Sequence, residues 1–257
     1  MQGALAFCAR VEHKAAVNGA EPAGWKALRS RPLPGASADG EFRVMEGFSG
    51  LRRNMVDCQL RTYDITDRAV LAAADTVPRE VFVPENFAHL AYLDQPIALP
   101  GTGRALMTPM VIVRMIQLLD LEAGEDALEY GGGSGYGAAL MAHIGAKVTL
   151  WEPDSAARML AEGALRAAGA QQVAVAATQP ARESFDAILV SGACETQPES
   201  LFPLLRAEGR LVVIEGAGRS ARVKLYRKSA DIVAGRPVFD AAAPVLSEFR
   251  RPEAFIF

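Results

Sequence analysis

Residues 127–140 read ALEYGGGSGYGAAL. A short apolar run ends in three consecutive glycines and gives way to alanine and leucine. The pattern predicts a strand over residues 126–130, a turn carrying Gly131, Gly133 and Gly135, and a helix over residues 135–145. Glycine lets a chain turn tightly and brings its backbone close to a bound molecule. In open α/β sheets, ligands sit at the carboxyl ends of strands, against the N-terminus of the helix that follows. The spacing is G-x-G-x-G rather than the G-x-G-x-x-G of dinucleotide sites. Glycine turns of this kind serve nucleotide, nicotinamide, flavin and methyl-donor sites alike.

Two carboxylates narrow the choice. Glu129 precedes the first glycine by two residues and sits under the turn, where it can orient the loop and meet a cationic amino-acid group. A pyrophosphate would be repelled there, whereas S-adenosylmethionine carries a sulfonium and an ammonium. Glu152 ends the next predicted strand, in VTLWEPD (148–154), and can accept hydrogen bonds from both hydroxyls of a ribose. The expected cofactor is S-adenosyl-L-methionine, bound by Glu129, Gly131, Gly133, Gly135 and Glu152. The competing readings are a nicotinamide or flavin site, and a glycine turn kept for packing with both acids solvated.

Beyond the turn the chain alternates. Strands are predicted at 147–152, 172–177, 185–193, 210–216 and 222–228, with one more inside 243–257; helices are predicted at 154–169 and 198–209. Strands alternating with helices predict an α/β fold with a doubly wound, Rossmann-like sheet. The sheet is expected to be mostly parallel, with an antiparallel C-terminal edge.

Before the turn, a helix is expected from Phe48, with Leu51, Met55, Val56, Cys58 and Leu60 as its apolar face. A second helix is expected within 64–78, with Thr66 as N-cap, Val70 and Leu71 facing inward and Pro78 as its stop. Residues 79–106 are Pro-rich and irregular, with the character of a substrate loop. Thr108 then reads as the N-cap of a helix that has Pro109 at its first position. Residues 45–257 are thus expected to form one domain with an N-terminal helical cap. Residues 1–44, rich in Pro, Gly, Ser and Ala, read as a disordered tail or a start-site artefact.

Composition excludes several classes. With 27 basic against 30 acidic residues, the chain has no cationic excess for tracking nucleic-acid phosphates. No apolar run is long enough to span a bilayer. Three scattered cysteines, Cys8, Cys58 and Cys194, and three histidines leave no zinc or disulfide framework and no metal site. A cytoplasmic monomer without membrane partners is the expectation.

The chain resembles the protein-L-isoaspartate O-methyltransferase family over about Leu51 to Gly218. The likeness lies in NMVDCQL, DRAVLAAADTVPREVFVPE, AYLDQPIAL, TPMVIVRMIQLLDLEAG, ALEYGGGSGYGAAL, FDAILVSGA and EGRLVV. The glycine motif is shared by many methyltransferases; VPREVFVP followed by AYLDQP is far more specific. The resemblance implies that the doubly wound sheet is a Rossmann-like methyltransferase sheet, that residues 45–257 form a methyltransferase domain with the N-terminal helices as its substrate cap, and that S-adenosyl-L-methionine is the cofactor. It also implies methyl transfer to the abnormal α-carboxylate of an isoaspartyl residue in a peptide or protein, as a repair step. The ester cyclises to a succinimide that can reopen as normal aspartate.

Two positions depart from the family pattern. The family places a hydroxyl beside the substrate carboxylate in a Ser-Gln-Pro type motif. Anchoring on Pro109 puts Met107 at the serine and Thr108 at the glutamine. Met107 cannot donate a hydrogen bond, so Thr108 becomes the candidate hydroxyl, against its plainer role as a helix cap. After residue 177 the family's adenine-contacting Gly-Asp-Gly and long loop are replaced by Thr178, Gln179, Pro180 and four residues, which removes part of the active-site wall; the resemblance then leaves Gln179, whose amide donates and accepts, as the residue to bind the cofactor's adenine edge. Asp94 reads as a turn residue and Arg52 and Arg53 as a solvated face. Cys194 reads as packing. Loss of the hydroxyl leaves two other readings open: a methyltransferase for another carboxyl or small-molecule substrate, and a non-catalytic adenosyl-binding scaffold.

Overall fold

A computed structural model describes residues 38–252, with side chains from Gly47 onward. The first element, α1 (Ala38–Met55), begins within the stretch expected to be a tail; the residues before Ala38 lie outside the described region. α1 runs into a π turn, Val56–Leu60. Met55, Val56 and Leu60 are buried, but Leu51 is 42% exposed and Cys58 is exposed. Two of the five expected members of the apolar face, Leu51 and Cys58, thus point outward.

Helix α2 (Arg68–Thr76) is capped by Asp67, whose carboxylate accepts from the Val70 amide at 2.9 Å. The expected cap, Thr66, instead gives its own amide to Gln117 Oε1 at 2.8 Å. Val70 and Leu71 are buried as expected, and Pro78 follows the helix end. The stretch expected to be irregular contains a small hairpin, β1 (Ile97–Leu99) with β2 (Arg104–Leu106), whose alternate residues are buried. Helix α3 (Pro109–Leu119) follows, with Thr108 at its N-cap position and Pro109 at its start.

The main sheet comprises β3 (Asp126–Tyr130), β4 (Lys147–Trp151), β5 (Ala174–Ala176), β6 (Phe185–Cys194), β7 (Leu205–Glu215), β8 (Arg222–Ser229) and β9 (Ile232–Asp240). Their order is β5-β4-β3-β6-β7-β8-β9, parallel through β7 and antiparallel beyond it. The chain builds outward in one direction from β3 to β5, then returns beside β3 with β6. That reversal opens a crevice at the carboxyl ends of β3 and β6, where sheets of this kind bind ligands. Helices α4 (Tyr136–Ile144) and α5 (Ser155–Ala167) connect the first strands, and Asp154 caps α5 by accepting from the Ala157 amide at 2.8 Å.

The sheet separates two apolar clusters. Ala127, Ala187 and Leu189 face the cluster that contains α2, α3, α4 and α5, whereas Leu128, Tyr130, Ile188 and Val190 face the other. The second face is covered by Leu201 and Leu204 of a short 3₁₀ turn, Glu199–Leu204, and by Leu246 and Phe249. The helix expected over 198–209 is therefore reduced to that turn. Pro203 lies within it, and β7 already begins at Leu205. The last strand also differs: β9 lies at 232–240, ahead of the expected region. Residues 243–252 instead lay Val245 beside Ala193 at the end of β6 and form a 3₁₀ turn, Ser247–Phe249. β9 was hard to read because it is a mostly exposed edge carrying Gly235 and Pro237, residues tolerated at sheet edges.

Candidate active site

Glu129 lies on β3 at the topological switch, paired in register with Leu150 of β4 and Leu189 of β6. It is fully buried, and it accepts hydrogen bonds from the Ala138 amide at 2.7 Å and from Ser191 Oγ at 2.5 Å. It thus fastens the first turn of α4 to two strands. A Cβ on Gly132 would lie 2.4 Å from the Glu129 carboxyl carbon, and one on Gly137 would lie 2.3 Å from its Oε1. The motif needs glycine at these two positions for room, which the expected trio of Gly131, Gly133 and Gly135 did not include. Those three have positive φ, and Gly135 caps α4 with φ +84° and no side chain in the way. Burial pushes the Glu129 carboxyl up to about 7, against the opposing pull of its hydrogen bonds from Ser191 and Ala138.

Glu152 follows β4 and is also fully buried. Its Oε2 accepts from the Gly133 amide at 3.0 Å and its Oε1 from the Asp154 amide at 3.0 Å. It is therefore not a solvated acid, and it braces the glycine turn directly. Its other partner, missed in the sequence, is Arg104 of β2, at 2.8 Å. Arg104 also reaches Glu248 at 2.6 Å. Burial works against the Arg104 charge, but the two carboxylates outweigh it and hold its pKa above the ordinary value. Within the turn, Ser134 Oγ is buried without a hydrogen-bond partner. An orphaned hydroxyl, a helix N-terminus and two buried acids fit an adenosyl amino acid better than an apolar packing turn.

Thr108 and Met107 lie where β2 leads into α3. Thr108 occupies the N-cap position, yet its hydroxyl makes no capping bond, and Oγ1 is buried without a partner. The plainer capping role is therefore not the one it performs. Met107 is 3% exposed and packs in the main core. Its carbonyl accepts from the Nη2 of Arg79, whose Nε donates to the Ala91 carbonyl at 2.7 Å. Arg79 is fully buried and lies 4.7 Å from the centre of the Tyr136 ring; burial lowers its pKa. This one side chain explains why VPREVF and AYLDQP occur together: Arg79 ties Ala91 to the backbone of residue 107.

Arg52 is not a solvated residue: it reaches Tyr92 Oη at 3.2 Å and Glu80 at 3.5 Å. Arg53 pairs with Asp75 at 2.9 Å. Gln179 and Asp94 are exposed, Gln179 just beyond the carboxyl end of β5. Cys194 is buried, with its thiol pushed up by burial, as expected of a packing residue. A surface recess of about 330 Å³ lies apart from this machinery on the helical cap, lined by Arg53, Val56, Arg61, Arg68, Leu71, Ala72 and Asp75.

Fold and site together define a Rossmann-like methyltransferase. The family model for protein-L-isoaspartate(D-aspartate) O-methyltransferase matches residues 51–240, and the chain belongs to that family. It is 39% identical over 193 residues to protein-L-isoaspartate O-methyltransferase 1 of Rhodopseudomonas palustris, covering 72% of this chain and 78% of that one. It is 37% identical over 204 residues to the protein-L-isoaspartate O-methyltransferase of Methylorubrum extorquens, covering 77% and 89%. A solved structure from Plasmodium falciparum, described as a candidate protein-L-isoaspartate O-methyltransferase with S-adenosyl-L-homocysteine, superposes with a TM-score of 0.66. At 20% identity, over 78% of this chain and 98% of that one, it supports the fold.

Proposed function

We propose that this chain methylates the α-carboxylate of isoaspartyl residues in peptides or proteins, with S-adenosyl-L-methionine supplying the methyl group. The observation that carries the reading is a pair of features, the buried acid beneath the glycine turn and the unpartnered buried hydroxyl of Thr108. Glu129 and the glycine turn mark the cofactor's end of the crevice, and the buried, unpartnered Thr108 hydroxyl stands at the head of α3. The substrate carboxylate is itself the nucleophile, so no strong general base is required. What the chain must supply is alignment and a dry site.

In this reading Glu152 receives the ribose hydroxyls, Glu129 faces the ammonium end and Gln179 meets the adenine edge. Thr108 donates to the substrate carboxylate in place of the hydroxyl that Met107 lacks, and Arg79 holds the backbone that carries both residues. Among the described residues no helix is long and apolar enough to cross a membrane. We place the enzyme in the cytoplasm, as a monomer, with no nucleic-acid or membrane partner. The net charge of −3 and the free buried Cys194 support that placement.

The test is methyl transfer from labelled cofactor to an isoaspartyl peptide, beside its normal aspartyl twin. Transfer to the abnormal peptide alone is expected. Cofactor binding without transfer to either would favour the scaffold reading, to which buried Met107 lends support. Neither binding nor transfer would remove the assignment.

A further inference from the structure

The carboxylate assigned to the ribose is fully engaged within the chain. Glu152 Oε1 accepts from Arg104 Nη2 at 2.8 Å, Arg104 Nε at 3.0 Å and the Asp154 amide at 3.0 Å. Oε2 accepts from Arg104 Nε at 3.1 Å and the Gly133 amide at 3.0 Å. A guanidinium edge presents two parallel donors to a carboxylate. A vicinal diol presents its two hydroxyls in a similar way, so the two ligands compete for one face of Glu152.

Arg104 has a second seat. Nη2 and Nη1 donate to Glu248 at 2.6 and 3.1 Å. The Glu248 side chain is 31% exposed, whereas that of Glu152 is wholly buried. Arg104 can therefore leave Glu152 without leaving its charge unpaired, the costly outcome for a buried ion.

The same arginine joins two segments that lie over the glycine turn. On the hairpin side, a Cβ on Gly133 would lie 2.7 Å from Leu99 Cδ1 and 3.3 Å from Arg104 Cβ. On the C-terminal side, Leu246 would lie 3.1 Å from a Cβ on Gly131 and 2.6 Å from one on Gly192. Phe249 meets the Tyr130 ring edge-on at 5.5 Å.

We propose that Arg104 is a latch that competes with the cofactor's ribose for Glu152, and that Glu248 holds it when the cofactor enters. The proposal rests on Glu152 being the ribose acceptor. Entry exchanges one bidentate interaction for another. It also frees the hairpin that leads into Met107 and Thr108 from the end of β4, while the Arg104–Glu248 pair keeps it on the segment carrying Leu246, so that cofactor occupancy and the substrate arm are coupled.

Calorimetry with S-adenosyl-L-homocysteine tests the latch. Arg104→Gln should bind it about tenfold more tightly than the parent, within the usual range of coupling between sites. Glu248→Gln should bind about tenfold more weakly, because it removes the second seat, and Arg104→Gln/Glu248→Gln should match Arg104→Gln. In the parent chain, the rate of the Trp151 fluorescence change should level off as ligand rises, since opening limits entry. A linear rate, or unchanged or weaker binding by Arg104→Gln, overturns the latch. The linear-rate criterion stands even if that variant fails to fold. Weakened binding by Glu152→Gln beside an unaffected Arg104→Gln would sink the latch and spare the ribose assignment. Unaltered binding by both variants would sink both.

Discussion

Glu129 and Met107 each make a separable prediction. The Glu129 carboxyl, ordinarily at 4.5, is raised to about 7 by burial. The folded chain therefore holds that proton more tightly than the unfolded chain. Between about pH 4.5 and 7 its contribution to stability falls as pH rises, by about 3 kcal/mol in all, and is level above that window. Glu129→Gln should flatten this slope in denaturant titrations at pH 5 and pH 7; an unchanged slope would mean that Glu129 is ionised throughout. If the ionised form faces the ammonium end, S-adenosyl-L-homocysteine should bind more tightly as pH rises through about 7, with proton release below it. Met107→Ser should restore a donor and raise turnover on an isoaspartyl peptide by about tenfold to a hundredfold, the value of a hydrogen bond to a charged group in the transition state. Because Met107 is buried, the same change should cost about 2–5 kcal/mol of stability. Strong parent activity that survives Thr108→Ala would show that no hydroxyl is needed.

At the scale of elements, the glycine turn is the least forgiving part of the chain. Gly133 has φ +60°, and any Cβ there meets Leu99 at 2.7 Å. Gly133→Val should abolish measurable S-adenosyl-L-homocysteine binding in a chain that keeps its far-ultraviolet circular dichroism; retained affinity in the folded variant would move the site elsewhere. The turn, β3, α4, β4 and α5 were legible in the sequence because their signals are local: an apolar run, glycines and a cap. The hairpin at 97–106, β9 and the 3₁₀ turn at 199–204 were not. Short or exposed strands carry weak alternation, and Pro203 with Leu204 and Leu205 reads as well for a helix end as for a strand start. The acids and glycines of the site were legible for the same local reason. Its arginines were not, because their partners are remote: Arg79 to Met107 spans 28 positions, Arg104 to Glu152 spans 48 and Arg104 to Glu248 spans 144.

Over the whole molecule, buried arginines act as staples between distant segments, and where the staples begin bears on how much of the chain the fold needs. Arg210 of β7 donates to the Leu119 carbonyl, to the Asp120 carbonyl at 2.7 Å and to Glu125 at 2.6 Å, so it closes the C-terminal end of α3 onto the sheet. Arg52 is the earliest such contact described, reaching Glu80 and Tyr92, and Met55 is the first buried residue among those with described side chains. Phe48, half-buried, meets the Tyr92 ring at 6.5 Å. All three would be kept in a chain beginning at Met45. Such a chain begins inside α1 (Ala38–Met55), and a short helical turn contributes little stability of its own. We expect it to melt within about 4 °C of the full chain, corresponding to about 1 kcal/mol for a domain of this size. It should also bind S-adenosyl-L-homocysteine with unchanged affinity. A much larger fall in melting temperature, or a loss of cooperativity, would mean that residues 1–44 pack on the domain and belong to its core.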